Sequence, residues 1–255
     1  MFFIYSDFVI PHKAKFTNGI TSSTLVIKSA YHCYSGSDMH SIESEVHSCR
    51  RCKKKLSENM PYPPVYSFGD PSGKTIILVG INPAKKEFEK CFLSKSKSIE
   101  DRRHSQLSYF DRSTTTYFAK VAPFFKGAVK GLLGWEKSPW EKIGVLDLVK
   151  CTTIGKNGQW SKMGCHQDHI LRNCEEFLIK QLRIYRPRIL VPYGVPVCEW
   201  FAEHLSIPYD EYESFKVKLD GWLTQGIFIP QRQGNHSKPE IQWVQRELAA
   251  ILRSL

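Results

Sequence analysis

The chain has no long uncharged apolar run, so its sequence gives no reason to expect a membrane-spanning helix. Its apolar beginning, MFFIYSDFVIPHK, lacks a basic leader and a small-residue cleavage site, so we interpret it as part of the folded protein and expect a cytoplasmic location. Acidic residues are scarce: 25 Asp and Glu stand against 36 Lys and Arg, which gives a net charge of +11. This excess favours a polyanionic partner, although a soluble protein that is merely basic explains the charge about as well.

The basic residues gather in clusters instead of spreading evenly along the chain. The clusters span residues 50–55, 85–90, 95–103 and 183–188. Clustering of this kind favours a face that binds nucleic acid over a uniformly solvated surface. With 255 residues, 42% of them hydrophobic, the chain is long enough to bury one substantial core.

Two of the eight cysteines, Cys49 and Cys52, form a Cys-x-x-Cys motif inside the basic stretch SCRRCKKK. In a reducing cytosol, such pairs serve as metal or redox sites more often than as structural disulfides. Another cysteine, Cys198 in VPVCEWF, has the apolar neighbours of a small buried side chain. The motif therefore predicts a metal or redox site whose other members come from the remaining cysteines.

Short apolar runs alternate with amphipathic segments along the chain. We predict strands at 74–81, 143–151, 188–194 and 226–230, and helices at 114–133, 166–185, 195–205 and 239–254. This alternation is typical of a single α/β domain, and we expect a three-layer α/β/α sandwich with a central parallel sheet. Function in such folds sits at the loops that leave the carboxyl ends of the strands. These loops contain Asn82–Pro83, Lys150–Cys151, Gly194 and residues 231–239.

Other segments do not follow this alternation. Residues 86–108 are polar and charged, which predicts an inserted, mobile loop, and residues 152–173 form a second insertion. Residues 1–47 form an N-terminal extension without an assigned role, and its turn signals FTNGIT and YSGSD predict loops or hairpins. Pro123 predicts a break within the helix at 114–133.

The strand ends carry motifs in a particular order. The order is Cys-x-x-Cys, VGINPA, LDLVKC, RNCEEFLIKQL, RPRILVPYG and then a loop that contains a histidine. Over residues 48–255 this resembles the iron–sulfur branch of the uracil-DNA glycosylase superfamily, and GINPA is similar to the first motif of its mismatch-specific relatives. The resemblance implies a monomeric, monofunctional DNA glycosylase. Such an enzyme flips a base out of DNA and hydrolyses its N-glycosidic bond, which leaves an abasic site.

The resemblance also implies which four cysteines are metal ligands. Cys49, Cys52, Cys151 and Cys174 would ligate a 4Fe–4S cluster that fastens the N-terminal segment to the sheet. From the residues alone, four cysteines fit a zinc ion equally well. The 22 residues between Cys151 and Cys174 are more than the family usually has, and they include Cys165, which is therefore an alternative fourth ligand.

The resemblance implies two catalytic residues. Asn82 in GINPA would orient the water that attacks the sugar, a reaction that needs positioning more than strong activation. His236 in NHSKP would donate a hydrogen bond to the departing base and stabilise its negative charge. Ala84 stands where the family has glycine, and the histidine motif lacks its first proline, so Asn235 is an alternative to the histidine.

Contacts to the base and to the DNA backbone follow from the same resemblance. Gly80 and Ile81 in GINPA would lie against the flipped base. Phe110 in SYFDRS would stack on that base, with Tyr109 and ordinary core packing of Phe110 as the alternatives. The cations that would meet phosphates are Lys85, Arg232 and Lys238.

Asp147 in VLDLVKC is an informative departure from the family pattern. The iron–sulfur uracil glycosylases typically have asparagine at this position, and its amide pairs with uracil. An ionised carboxylate only accepts hydrogen bonds, so it would repel O4 of uracil and attract the amino group of cytosine. A protonated Asp147 would instead donate to N3 of cytosine, if burial raises its pKa. Either state predicts a cytosine derivative as the target.

Ordinary cytosine is an unsuitable target because its excision would destroy the host genome. We therefore expect a modified cytosine, such as the hydroxymethylated or glucosylated base of phage DNA, and a role in antiviral defence. Three rival interpretations stay open: a uracil-DNA repair glycosylase that tolerates Asp147, a DNA-binding homologue without catalysis, and a redox or zinc protein unrelated to DNA. Charge clustering and motif order weigh against the third.

Overall fold

The apolar runs of the sequence form the strands of a central five-stranded sheet. The structure is a computed structural model that describes residues 36–52, 64–83, 98–112, 116–152, 160, 166–230 and 236–255. The strands are β1 (Ile76–Gly80), β2 (Ile143–Asp147), β3 (Ile189–Pro192), β4 (Ser214–Leu219) and β5 (Trp222–Ile227). Their order across the sheet is β2-β1-β3-β5-β4, and every neighbouring pair is parallel except β4 with β5.

Helices cover both faces of this sheet. They are α1 (Gly36–Ser48), α2 (Ile99–Leu107), α3 (Tyr109–Arg112), α4 (Thr116–Val121), α5 (Ala128–Leu133), α6 (Gln167–Tyr185), α7 (Val195–Leu205) and α8 (Lys238–Ser254), with 3-10 turns at Ala122–Phe125 and Pro139–Glu141. The α/β class and the helix–sheet–helix layering predicted from the sequence are confirmed. Within the described ranges, no helix is both long and apolar enough to cross a membrane.

Alternate residues of the buried strands serve the two faces of the sheet, as the period of a strand requires. Leu78 of β1 belongs to the core on one face, where α4, the 3-10 turn at Ala122–Phe125 and α8 pack. Its neighbour Val79 belongs to the core on the other face, where α6 and α7 pack. The central strands are buried on both sides, which explains why they appear in the sequence as continuous apolar runs.

The edge strand β4 was missing from the sequence prediction. It forms an antiparallel hairpin with β5, and the turn between them contains Asp220 and Gly221 with φ of 41° and 96°. Positive φ at both residues suits the tight turn that matches the twist of a hairpin. The sheet is therefore parallel except at this edge.

The helix predictions hold with two corrections. The segment 114–133 breaks at Pro123, as expected, into α4, a 3-10 turn and α5. The polar segment 86–108, predicted to be a loop, contains helix α2, whose first turn is closed by a capping box between Ser98 and Asp101. Helix α1 begins at Gly36, so the last three residues of the YSGSD turn signal are helical and do not form the predicted loop or hairpin. Residues 84–97 lie outside the described part of the chain.

Candidate active site

The end of β1 lies beside the end of β2 at the carboxyl edge of the sheet. Gly80 and Asp147, the last residues of these strands, are register partners. The pairing continues past both strands, because Leu148 N donates to the Gly80 carbonyl at 2.9 Å and Val149 N donates to the Ile81 carbonyl at 2.8 Å. The motifs GINPA and LDLVKC are 66 positions apart in the sequence. Gly80 and Ile81 of the first thus lie beside residues 147–149 of the second.

Gly80 leaves room for the side chain of Asp147. A Cβ atom added at Gly80 would lie 2.7 Å from Asp147 Oδ1 and 3.1 Å from the hydroxyl oxygen of Tyr117. The first distance is shorter than real contacts of a Cβ atom, so any larger residue at this position must displace the carboxylate. Asp147 is only 7% exposed. The structure therefore brings the carboxylate and the tyrosine hydroxyl to the same point above the glycine.

Lys150, three residues after Asp147, is buried and only 1% exposed. Its Nζ donates to the main-chain carbonyl of Asp147 and to Oε1 of Gln181 on α6. Burial lowers the pKa of Lys150 to about 8, and the negative charge of Asp147 opposes that shift. Gln181 Nε2 donates in turn to the Tyr66 carbonyl at 2.8 Å. These bonds tie the backbone of Asp147 to the helix behind the sheet.

His236 lies at the same edge, in the loop between β5 and α8. Its Nε2 is 3.3 Å from the hydroxyl of Tyr193, which follows β3 directly, and its ring meets the edge of Phe124 at a centroid distance of 4.7 Å. Burial lowers the pKa of His236, and the negative charge of Glu240 only partly opposes this. Since histidine ordinarily titrates near pH 6.5, the lowered pKa leaves this imidazole neutral at pH 7.

Tyr117 connects the two halves of the site. Its hydroxyl lies against Gly80 and Asp147, while its ring packs edge-on against Tyr193 at a centroid distance of 5.8 Å. Tyr117 belongs to the apolar stripe of the helix predicted at 114–133, and this pattern gave no sign of its position in the site. The only hint in the sequence is a tyrosine hydroxyl in an otherwise apolar stripe. Such a hydroxyl does not reveal which strand end its ring will contact.

Asn82, the predicted water-positioning residue, lies two positions beyond β1 and is half-buried. Its Nδ2 donates to the carbonyl of Pro83 at 3.1 Å. Lys238 is exposed at the first turn of α8, next to the loop that carries His236. Lys85 and Arg232, the other two predicted phosphate contacts, lie outside the described residues.

Phe110 occupies a different place from the other predicted base contacts. Its ring stacks on Trp140 at 4.8 Å with an interplanar angle of 13°, and it meets the edge of Phe118 at 5.0 Å. Trp140 precedes β2, at the opposite end of that strand from Asp147. Among the described contacts, none brings Phe110 to Gly80 or Asp147. Its role as the stacking ring stays a prediction that these contacts do not support.

The four predicted cysteine ligands come together beside this edge. Burial raises the pKa of Cys151 well above its ordinary value, and the charges of the other three thiols raise it further. The pKa of Cys174 rises to about 12, again mainly through burial, while Cys49 and Cys52 add to the effect. Because charge effects of this kind weaken with distance, the four cysteines lie in one region of the fold, where Cys151 packs against the buried cluster that contains Cys52 and Cys174. All four are free thiols in the structure.

The cysteine site has mainly apolar surroundings. Cys52 and Cys174 share a buried cluster with Trp160 and Ile170, and Ile81 of GINPA packs on its rim. Asn173 Nδ2 donates to Cys52 Sγ at 3.2 Å. In the part of the chain that the structure describes, no three His, Cys, Asp or Glu side chains are arranged to hold a metal ion. The cysteines therefore lie in one region of the fold, and the described side chains are not arranged around a common metal position.

Comparison with known protein families identifies the superfamily of the chain. The model of the uracil DNA glycosylase superfamily matches residues 66–231, which is more than half of the chain, so the protein belongs to this superfamily. The superfamily consists of DNA glycosylases, and the matched range includes Asn82, Asp147, Cys151 and Cys174. No curated protein sequence matches the chain significantly.

Proposed function

We propose that the protein is a DNA glycosylase that hydrolyses the N-glycosidic bond of a modified cytosine and leaves an abasic site. The observation that carries this proposal is the Asp147 carboxylate at the end of β2, held beside Gly80 at the carboxyl edge of the sheet. Ligands of open α/β folds bind at this edge. The substrate class follows from the chemistry of that carboxylate.

The base preference rests on hydrogen-bond matching. An ionised Asp147 offers only acceptors, and cytosine presents an amino group where uracil presents a carbonyl oxygen. A uracil beside Asp147 would place its O4 acceptor against the carboxylate acceptors at a largely buried position, at a cost of about 1–3 kcal/mol. An amino-bearing base avoids this cost. A glycosylase that recognised ordinary cytosine would damage the host genome. The 5-substituent of phage-type cytosine is the feature that distinguishes the target base from the host base.

The residues at the strand ends supply the chemistry. Asn82 positions the water that attacks the sugar carbon, since the bond breaks with oxocarbenium character and a well-placed water suffices. The neutral imidazole of His236 donates a hydrogen bond to the departing base and stabilises its negative charge. We assign the Tyr193 hydroxyl as the donor to His236 Nε2, which lies 3.3 Å away. The proton of the neutral ring then sits on Nδ1, and Nδ1 donates toward the base.

The proposal is tested by incubating the purified protein with DNA that contains 5-hydroxymethylcytosine or its glucosylated form. We expect the free modified base in solution, identified by mass spectrometry, and alkali-sensitive abasic sites in the DNA. Asn82→Ala should slow base release by about 10²-fold or more while DNA binding stays unchanged, because only the water loses its partner.

Two other results would replace the proposal. Binding without any released base, equal for the wild type and Asn82→Ala, would identify a DNA-binding homologue that lacks catalysis. Release of uracil alone would identify a repair glycosylase. An intact fold of each variant, checked by thermal unfolding, is the control for both comparisons.

We also propose that Cys49, Cys52, Cys151 and Cys174 hold a 4Fe–4S cluster. The donor set supports this, because four neighbouring thiols are the usual ligands of such a cluster. A zinc ion bound by the same four thiols is the alternative, since zinc also takes four cysteine ligands. The cluster would act as a structural cross-link between the loop after α1, the end of β2 and helix α6.

Cys174→Ser should remove the cluster, because a hydroxyl is a poor ligand for iron where thiolates are required. We expect iron and labile sulfide per protein to fall by more than half, together with the broad visible absorption of the purified protein. Cys198→Ala is the matched control, since Cys198 is a buried thiol in the core between the sheet and α7. A wild-type protein that contains zinc and no iron would contradict the proposal.

A further inference from the structure

Two arginines, Arg50 and Arg102, converge on the C-terminal end of helix α1. Arg50 Nη1 donates to the carbonyl oxygens of His47 and Cys49, at 3.5 and 2.8 Å. Arg102 Nη2, from helix α2, donates to the same His47 carbonyl at 3.4 Å. The two guanidinium groups therefore approach one another although both are positively charged.

Among the residues that the structure describes, no anion matches the positive charge of this pair. Arg102 Nε is buried and has no hydrogen-bond partner among the described residues. Burial lowers the pKa of Arg102, and the positive charge of Arg50 lowers it further. The carbonyls at a helix C-terminus carry only a partial negative charge. A partly buried cation beside a like charge is costly unless a full anion joins it.

The sequence neighbours of these two arginines are neutralised. Arg51 forms an ion pair with Glu176 at 3.0 Å, and Arg103 forms one with Glu43 at 2.9 Å. Within the described ranges, no carboxylate forms an ion pair with Arg50 or Arg102. Each basic stretch thus contributes one arginine that is paired with a carboxylate and one that belongs to the uncompensated pair.

We propose that Arg50 and Arg102 form a clamp for one phosphate of the DNA backbone. Guanidinium groups match phosphate oxygens in charge and in geometry, and a phosphate between them would remove their mutual repulsion. The inference rests on the proposed function and extends it to a specific contact with the strand.

The position of the clamp suits a contact that flanks the target nucleotide. Arg50 lies between Cys49 and Cys52, and Cys52 shares its apolar cluster with Ile81, the residue before Asn82. The clamp is therefore connected to the end of β1 through the cluster that contains Cys52. A phosphate held there belongs to the strand beside the flipped nucleotide.

The test compares two double variants with the same change in net charge. Arg50→Gln/Arg102→Gln removes the clamp, and Arg51→Gln/Arg103→Gln removes the two ion-paired neighbours. Binding of an unmodified DNA duplex is measured over a series of salt concentrations, so the result does not depend on base excision. We expect the clamp variant to bind about tenfold more weakly and the slope of log K against log salt to fall in magnitude by about 1.

The control variant should keep a slope close to that of the wild type, although its thermal stability falls. Equal slopes for the two double variants, or an unchanged slope in the clamp variant, would overturn the inference. Arg50→Gln alone keeps the test valid if the double variant does not fold, because Arg50 is exposed. Failure of base release with an intact difference in slope would refute the proposed function but not the clamp.

Discussion

Asp147→Asn should move the base preference of the protein from modified cytosine toward uracil. Asparagine keeps the shape of the side chain but adds an amide donor, which can meet O4 of uracil where the carboxylate repels it. Mismatched polar groups in a buried site discriminate strongly, so we expect the ratio of the two release rates to change by about 10²-fold or more. The measurement is the initial rate of base release from duplexes that differ only in the target base.

The matched control for this change is Asp168→Asn. Asp168 is exposed in the first turn of α6, so the substitution removes the same charge without touching the strand ends. We expect it to leave the ratio of rates unchanged. If Asp147→Asn also leaves the ratio unchanged, Asp147 does not read the base, and the argument for cytosine loses its basis.

Gly80→Ala should abolish most base release through a single methyl group. The added Cβ would lie 2.7 Å from Asp147 Oδ1 and 3.1 Å from the Tyr117 hydroxyl, so the carboxylate must shift away from its place at the strand end. A displacement on the order of 1 Å at a reacting centre costs about 10²-fold in rate. The check is the rate of release of the modified base, normalised to the folded fraction of each preparation.

Gly144→Ala separates this effect from simple destabilisation. A Cβ at Gly144, on the neighbouring strand, would lie 2.6 Å from Ile77 Cδ1 and 2.9 Å from Pro71 Cα, so it also overpacks the sheet. Overpacking of this kind costs about 1–3 kcal/mol of unfolding free energy. We expect a lower melting temperature with a nearly normal rate per folded molecule. Equal rate losses for both glycine variants would show that Gly80 acts only through stability.

The buried strands could be predicted because tertiary packing hides both of their faces. Ile76–Gly80 and Ile143–Asp147 are continuous apolar runs for that reason, and their ends located the site. The edge strand β4 was missed although SFKVKL alternates apolar and polar residues and is followed by an Asp-Gly turn. One face of β4 is exposed and carries two lysines, so the strand has fewer apolar residues than the continuous apolar runs by which the other strands were predicted.

Spatial relations within the site could be predicted only in part. The motifs placed Gly80 and Asp147 at strand ends, but their direct pairing depends on the order of strands in the sheet, which no local pattern contains. Tyr117 and Tyr193 stand in apolar segments of the sequence. In the fold Tyr193 belongs to the core, Tyr117 packs against it, and the hydroxyls of both reach the site. Phe110 shows the reverse case, since its motif position suggested the base while its ring packs on Trp140.

The proposed preference for modified cytosine through Asp147 can be measured directly. The direct measurement is a competition assay in which one duplex position carries 5-hydroxymethylcytosine, glucosylated hydroxymethylcytosine, cytosine or uracil, and the released bases are quantified by mass spectrometry. We expect release of a modified cytosine, with little release of cytosine or uracil. Efficient release of uracil with both modified cytosines untouched would contradict it.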